Sequence, residues 1–167
     1  TITIQQTGQQ QTGPFPACVS FEHGESVPVT ITDPFSKEEE ERLAWYFEEW
    51  LVFPFTDTVK AEAAARSVKA YGEALFEQVF HDKRVYARYT NARNAGLERL
   101  IIEVLGEPAF HALHWEALKD PDLDRALSLD AVFIRRNNTF QPMPAAAQPS
   151  PTINVLVVTA RPDGAGD

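Results

Sequence analysis

The chain has 167 residues, 44% of them hydrophobic, which is enough for one domain with a real core and a small appended piece. Its net charge of −9 and pI near 4.9 exclude an electrostatic grip on nucleic acid, which needs a basic face, and a polybasic membrane contact. The single cysteine, Cys18, excludes an internal disulfide and fits a reducing compartment, hence a cytoplasmic expectation.

No run of about 20 apolar residues is present, so no transmembrane helix is expected. The start, TITIQQTGQQQ, lacks the charged segment and apolar core of a signal peptide. It also lacks an initiator Met, so the sequence reads as a trimmed or processed piece.

Residues 1–4 are β-branched and alternating. Residues 5–13 are glutamine-rich and read as a loop. Two strand-like runs, 17–21 and 27–32, flank the turn around Gly24 and predict a β-hairpin. Asp33-Pro34 stops the second strand. Ser36-Lys37-Glu38-Glu39 matches a capping box, and Glu38 to Glu41 suit the positive end of a helix dipole. Leu43, Tyr46, Phe47, Trp50 and Leu51 then recur at helical spacing, giving an amphipathic helix with an aromatic face that Pro54 ends.

Asp57 or Thr58 caps a second helix running to about Phe80, with Ala64, Val68, Tyr71, Leu75 and Val79 as its buried stripe. Gly72 weakens that helix by roughly 1 kcal/mol relative to alanine. Asp82 caps a third helix carrying Val85, Tyr86 and Tyr89, closed by Asn94 and Gly96.

Residues 97–120, LERLIIEVLGEPAFHALHWEALKD, form the unit around which the rest is organised. The apolar run 100–105 has strand length, and apolar character on both faces predicts helices on both sides. Gly106-Glu107-Pro108 is a turn with proline in the first turn of a helix. Phe110, Leu113, His114 and Leu118 suit one face of that helix. Residues 127–134 read as one or two strands that Arg135-Arg136 ends. Residues 139–151 hold four of the twelve prolines and read as an extended linker. INVLVVT, 153–159, is the most hydrophobic strand and suits the centre of a parallel sheet. Such a strand needs a crossover and neighbours, and only ARPDGAGD follows. The chain therefore reads as cut after the first strand of a larger α/β domain.

Cys18 and His23 invite a thiol–imidazole dyad, but no third group orients the imidazole, and a buried hairpin cysteine is the simpler reading. His111 and His114, three apart on a predicted helix with Glu107 and Glu116 near, could share a metal. The zinc-protease pattern uses i and i+4 with an intervening glutamate, so a core or capping role is favoured. Arg135-Arg136 could clamp a carboxylate or phosphate, though pairing with local acids is the default. Tyr46, Phe47 and Trp50 could form a partner groove or simply pack. Arg161-Pro162-Asp163-Gly164 follows the carboxyl end of the expected central strand, where α/β proteins place ligands. There is no glycine-rich phosphate loop, CxxC or GxSxG.

Leu113-His114-Trp115-Glu116-Ala117-Leu118 with the DP turn that follows resembles the LPWELL signature near the start of CHAT domains, caspase-like peptidases often attached to tetratricopeptide repeats. His114 stands for the proline and Ala117 for a leucine. The order of a strand with Arg135-Arg136, a Pro-rich link and INVLVVTARP resembles the same family. So does Trp45-Tyr46-Phe47-Glu48-Glu49 through Phe53-Pro54-Phe55.

The resemblance implies catalysis by a histidine in a His-Gly context and a later cysteine, both downstream of residues 153–159. Cys18 and His23-Gly24 stand in the wrong place and order to be that pair. No catalytic, cofactor-binding or metal-binding residue is therefore assigned to this chain, and no cofactor is expected. The implied division is an N-terminal hairpin and helical region at 1–95, the start of a CHAT-like domain at 96–139, a linker at 140–151 and a truncated first central strand at 152–167. The implied partners are the downstream part of the same protease and a regulatory or repeat protein. The alternative is a protein-interaction module using the hairpin and the aromatic helix; a third reading is a metal-dependent hydrolase at His111 and His114. The expected fold is mixed α/β, an incomplete caspase-like sandwich.

Overall fold

A computed structural model describes residues 1–22 and 24–137. The fold is mixed α/β. Strands β1 (Ile2–Gln6), β2 (Phe15–Phe21), β3 (Val27–Ile31), β4 (Ile101–Gly106) and β5 (Val132–Asn137) make one sheet in the order β3-β2-β1-β4-β5. The β3-β2-β1 half is antiparallel and the β1-β4-β5 half is parallel. The register Ile2↔Ile102 puts a strand from the start of the chain in the middle of the sheet. The expected hairpin is β2–β3. The expected strand 153–159, the linker and Arg161-Pro162-Asp163-Gly164 lie outside the described residues.

Alternation sends Ile2, Ile4, Val19, Ile31, Ile102 and Val104 to one face, where all are buried. Helices α2 (Thr58–Phe80) and α3 (Lys83–Asn94) cover it with Tyr71, Leu75, Phe76, Val79, Val85 and Tyr89. The segment after β4 adds Phe110, Leu113, Trp115, Leu118 and Leu127 to the same cluster. The expected helices on both faces of β4 are not found among the described residues. Ile101, Glu103 and Leu105 alternate onto the opposite face and are only half-buried there.

Local chemistry sets the helix ends. Helix α1 (Lys37–Trp45) begins with the capping box: Ser36 Oγ accepts from the Glu39 amide and Glu39 accepts from the Ser36 amide. The bond that its carboxylate accepts from the Ser36 amide is the main cause that holds the Glu39 carboxyl below the usual range. At Tyr46–Trp50 the helix widens into a π turn rather than running on towards Pro54. Leu43 is the one residue of α1 that is buried, so the aromatic face does not enter the core. Asp57 sits at φ 52° and its side chain makes no capping bond to α2. Asp82 does cap α3, accepting from the amides of Arg84 and Val85, and Gly96 leaves that region at φ 116°.

Two further expectations change. The helix predicted over Phe110 to Leu118 is only one turn, α4 (Pro108–His111), followed by a 3-10 turn at Trp115–Ala117. The backbone breaks at His114 (ψ 65°), and Trp115 instead drives into the core, its Nε1–H donating to the Phe110 carbonyl at 2.8 Å. Nor are residues 127–134 one or two strands throughout. Leu127–Leu129 is a 3-10 turn, and β5 starts at Val132, set by its pairing with Ile101. Arg135 and Arg136 therefore lie within β5.

Candidate functional site

The side chains that sequence reasoning singled out are dispersed. Cys18 is half-buried in β2, opposite Gln5 and Pro28. His23 lies outside the described residues. His111 and His114 diverge: His111 Nε2 faces the Arg136 carbonyl at 3.0 Å, while His114 Nε2 faces Glu40 at 2.9 and 3.2 Å. Among the described residues no group of three or more His, Cys, Asp or Glu is placed to hold a metal.

The arginine pair is occupied locally. Arg135 donates through Nε to Glu116 at 2.8 Å and through its terminal nitrogens to Glu116 and the carbonyls of His111 and Leu113. It thus ties β5 to the segment after α4. Burial alone would raise the Glu116 pKa, but the Arg135 hydrogen bond and charge leave it lowered. Arg136 reaches Glu103 on the open face of the sheet at 3.5 Å.

His114 closes one end of a groove of about 330 Å³ between α1, α2 and the 3-10 turns. Leu43, Phe47, Val68, Ala117 and Leu129 supply its apolar wall. The His114 amide donates to the Tyr71 hydroxyl at 3.0 Å, and its ring packs edge-on against Tyr71. Burial pushes the Tyr71 phenol well above its ordinary value, so it stays protonated. Ser128 also lines the groove, but its hydroxyl donates to the Glu116 carbonyl at 2.7 Å. No hydrogen bond joins His114 to Ser128 among the described residues. The groove thus has the character of a binding surface: apolar walls with an oriented imidazole–carboxylate pair at one end.

No protein-family model, curated protein or solved structure matches the chain.

Sequence reasoning missed a second polar constellation beneath the DP turn. Asp120, 1% exposed, accepts from the Tyr89 hydroxyl at 2.7 Å, Arg93 Nη1 at 2.7 Å and the Asp122 amide at 2.9 Å. Lys119, 4% exposed, donates to Glu73 at 3.0 Å, the Leu123 carbonyl at 2.6 Å and the Asp120 carbonyl at 3.2 Å. Each buried charge is matched by partners, as burial requires. Its chemistry is a clamp that fastens the 115–123 segment to α2 and α3. The side-chain partners on α2 and α3, Glu73, Tyr89 and Arg93, lie 27 to 46 residues away, and no local spacing announces them.

Proposed function

We propose that this chain is the N-terminal, non-catalytic portion of a cytoplasmic, CHAT-type caspase-like cysteine endopeptidase, which completes the fold and couples the catalytic part to a regulator. The observation that supports this most is the position of the signature-like residues. Trp115 is fully buried at the junction of sheet and helices, and Glu116 holds β5 through Arg135. A strand added beyond β5 would continue a parallel sheet, as the central sheet of such a peptidase requires.

The test is the coding sequence after Asp167 and the activity of the longer protein. A His-Gly context, a later cysteine and peptide cleavage lost on Cys→Ala at that position are the expected result. A downstream sequence with neither residue, or thiol-peptidase turnover by the 167-residue chain that Cys18→Ala abolishes, would refute the reading. A second reading, an interaction module, is favoured by one observation: the aromatic helix and the connection after it leave large apolar side chains exposed.

A further inference from the structure

Nine large hydrophobic side chains are exposed among the described residues, and six of them fall between positions 47 and 59: Phe47, Leu51, Val52, Phe53, Phe55 and Val59. Every residue from 51 to 60 is exposed, Phe53 at 72% and Phe55 at 86%. A soluble surface rarely concentrates apolar groups in this way without a partner to cover them.

The run is held in shape. Tyr46 stacks on Trp50 with ring centroids 5.3 Å apart, and Trp50 Nε1–H donates to the Thr56 carbonyl at 2.6 Å. The Phe53 amide donates to the Trp50 carbonyl at 3.1 Å, and Lys60 Nζ sits 3.6 Å from the centre of the Trp45 ring. The apolar side chains are therefore presented on a fixed loop, which lowers the ordering cost of binding. Phe47 links this loop to the groove, whose wall it forms with Leu43 and Leu129.

Charge narrows the occupant. From Lys37 to Trp50 the chain carries six carboxylates and two cations. Lys37 pairs with Glu41 and Arg42 with Glu39. Glu48 and Glu49, exposed beside Phe47, have no ion-pair partner among the described residues. A second copy of this chain, at net charge −9, would bring like charge to that rim. An anionic membrane would do the same.

We propose that the 47–59 run and the adjoining groove are a docking surface for an amphipathic helix of a partner protein whose apolar stripe is flanked by Lys and Arg. The groove takes the apolar anchors at i and i+4, the exposed phenylalanines cover the rest of the stripe, and Glu48 and Glu49 meet the flanking cations. This inference rests on the interaction-module reading and is independent of the peptidase one.

The test is fluorescence anisotropy with the full 167-residue chain and a labelled helical peptide of Leu and Lys, Leu standing at i, i+3, i+4 and i+7. Two control peptides accompany it: a scrambled isomer that keeps the charge, and a Leu/Glu version that keeps the stripe. Expected are saturable binding of the Leu/Lys peptide only, at least about tenfold weakening by the double variant Phe53→Ser/Phe55→Ser, and a smaller loss with Glu48→Gln/Glu49→Gln. Circular dichroism melts of both variants should match the parent. Equal binding of the scrambled isomer, or no binding at all, overturns the proposal. So does association into dimers, or binding to phosphatidylcholine–phosphatidylserine vesicles, that the Phe variants abolish. Tight peptide binding that ignores the Phe53 and Phe55 substitutions removes this surface while leaving a binding module elsewhere on the chain.

Discussion

Replacing Gly72 by alanine sets two physical effects against each other. Helix propensity favours the change by about 1 kcal/mol, because glycine in a helix interior carries an entropic cost that alanine does not. Packing opposes it. A Cβ at Gly72 would lie 1.8 Å from the Ala117 carbonyl oxygen and 2.9 Å from its carbon, where contacts under 3.0 Å essentially do not occur. The obstacle is backbone, so no side chain can swing aside. Helix α2 and the 3-10 turn at Trp115–Ala117 would have to separate, and the bond from the Lys119 amide to the Gly72 carbonyl (3.1 Å) would stretch. Overpacking of this kind costs about 1–3 kcal/mol and the weakened hydrogen bond about 1 more. The net effect of Gly72→Ala is a loss of about 1–3 kcal/mol. Urea unfolding followed by tryptophan emission should show the midpoint falling by roughly 0.5–1.5 M at unchanged slope. A midpoint equal to or above the parent's would refute the close-approach argument.

Other substitutions probe the remaining parts of the structure. Trp115→Phe removes the donor to the Phe110 carbonyl and opens a cavity, and should cost about 2–3 kcal/mol in the same unfolding assay. Asp120→Ala strands the Tyr89 hydroxyl and Arg93 and should cost about 3–5 kcal/mol, whereas Asp122→Ala, at an exposed carboxylate, should stay within about 0.5. Ser36→Ala removes the acceptor of the Glu39 amide and should lower stability by about 1 kcal/mol. For pH, Glu116 has a folded pKa below its ordinary value of 4.5, so its pairing with Arg135 stabilises the fold above that pH and the contribution fades as pH falls through the folded pKa. Melts from pH 6 down to pH 3 should therefore decline less steeply for Glu116→Gln than for the parent, and parallel curves would remove this role.

The sequence made much of the architecture legible because the signals were local. Ser36 and Glu39 announce a helix start three residues apart, Asp82 announces another, and the alternation around Gly24 announces the hairpin. What stayed hidden depended on distance. The Leu100–Leu105 run looked apolar on both faces, but Glu103 and half-buried Leu105 show that the second face lacks a helical layer among the described residues. Trp115 and Leu118 looked helical by spacing, yet an indole seeking the core and a carbonyl partner overrode that period. Gly72 looked like a weak point in a helix, and only the approach of Ala117 gives it a reason. The groove at His114 had no signature at all, because Glu40 stands 74 residues away in the chain. The aromatic helix raised the right question, core or partner, which spacing alone could not decide.

The place of β1 between β2 and β4 has a consequence for the order of assembly. Its antiparallel neighbour follows within 20 residues, but its parallel neighbour pairs Ile2 with Ile102. At a synthesis rate of about 5–20 residues per second, β1 waits roughly 5–20 s for β4. Closing a loop of that length costs on the order of 4 kcal/mol of chain entropy. The three-stranded meander can therefore form early, while the parallel half joins late, with α2 and α3 already synthesised between them. Until then one edge of the middle strand stays unpaired, and an unpaired edge can template pairing with another chain.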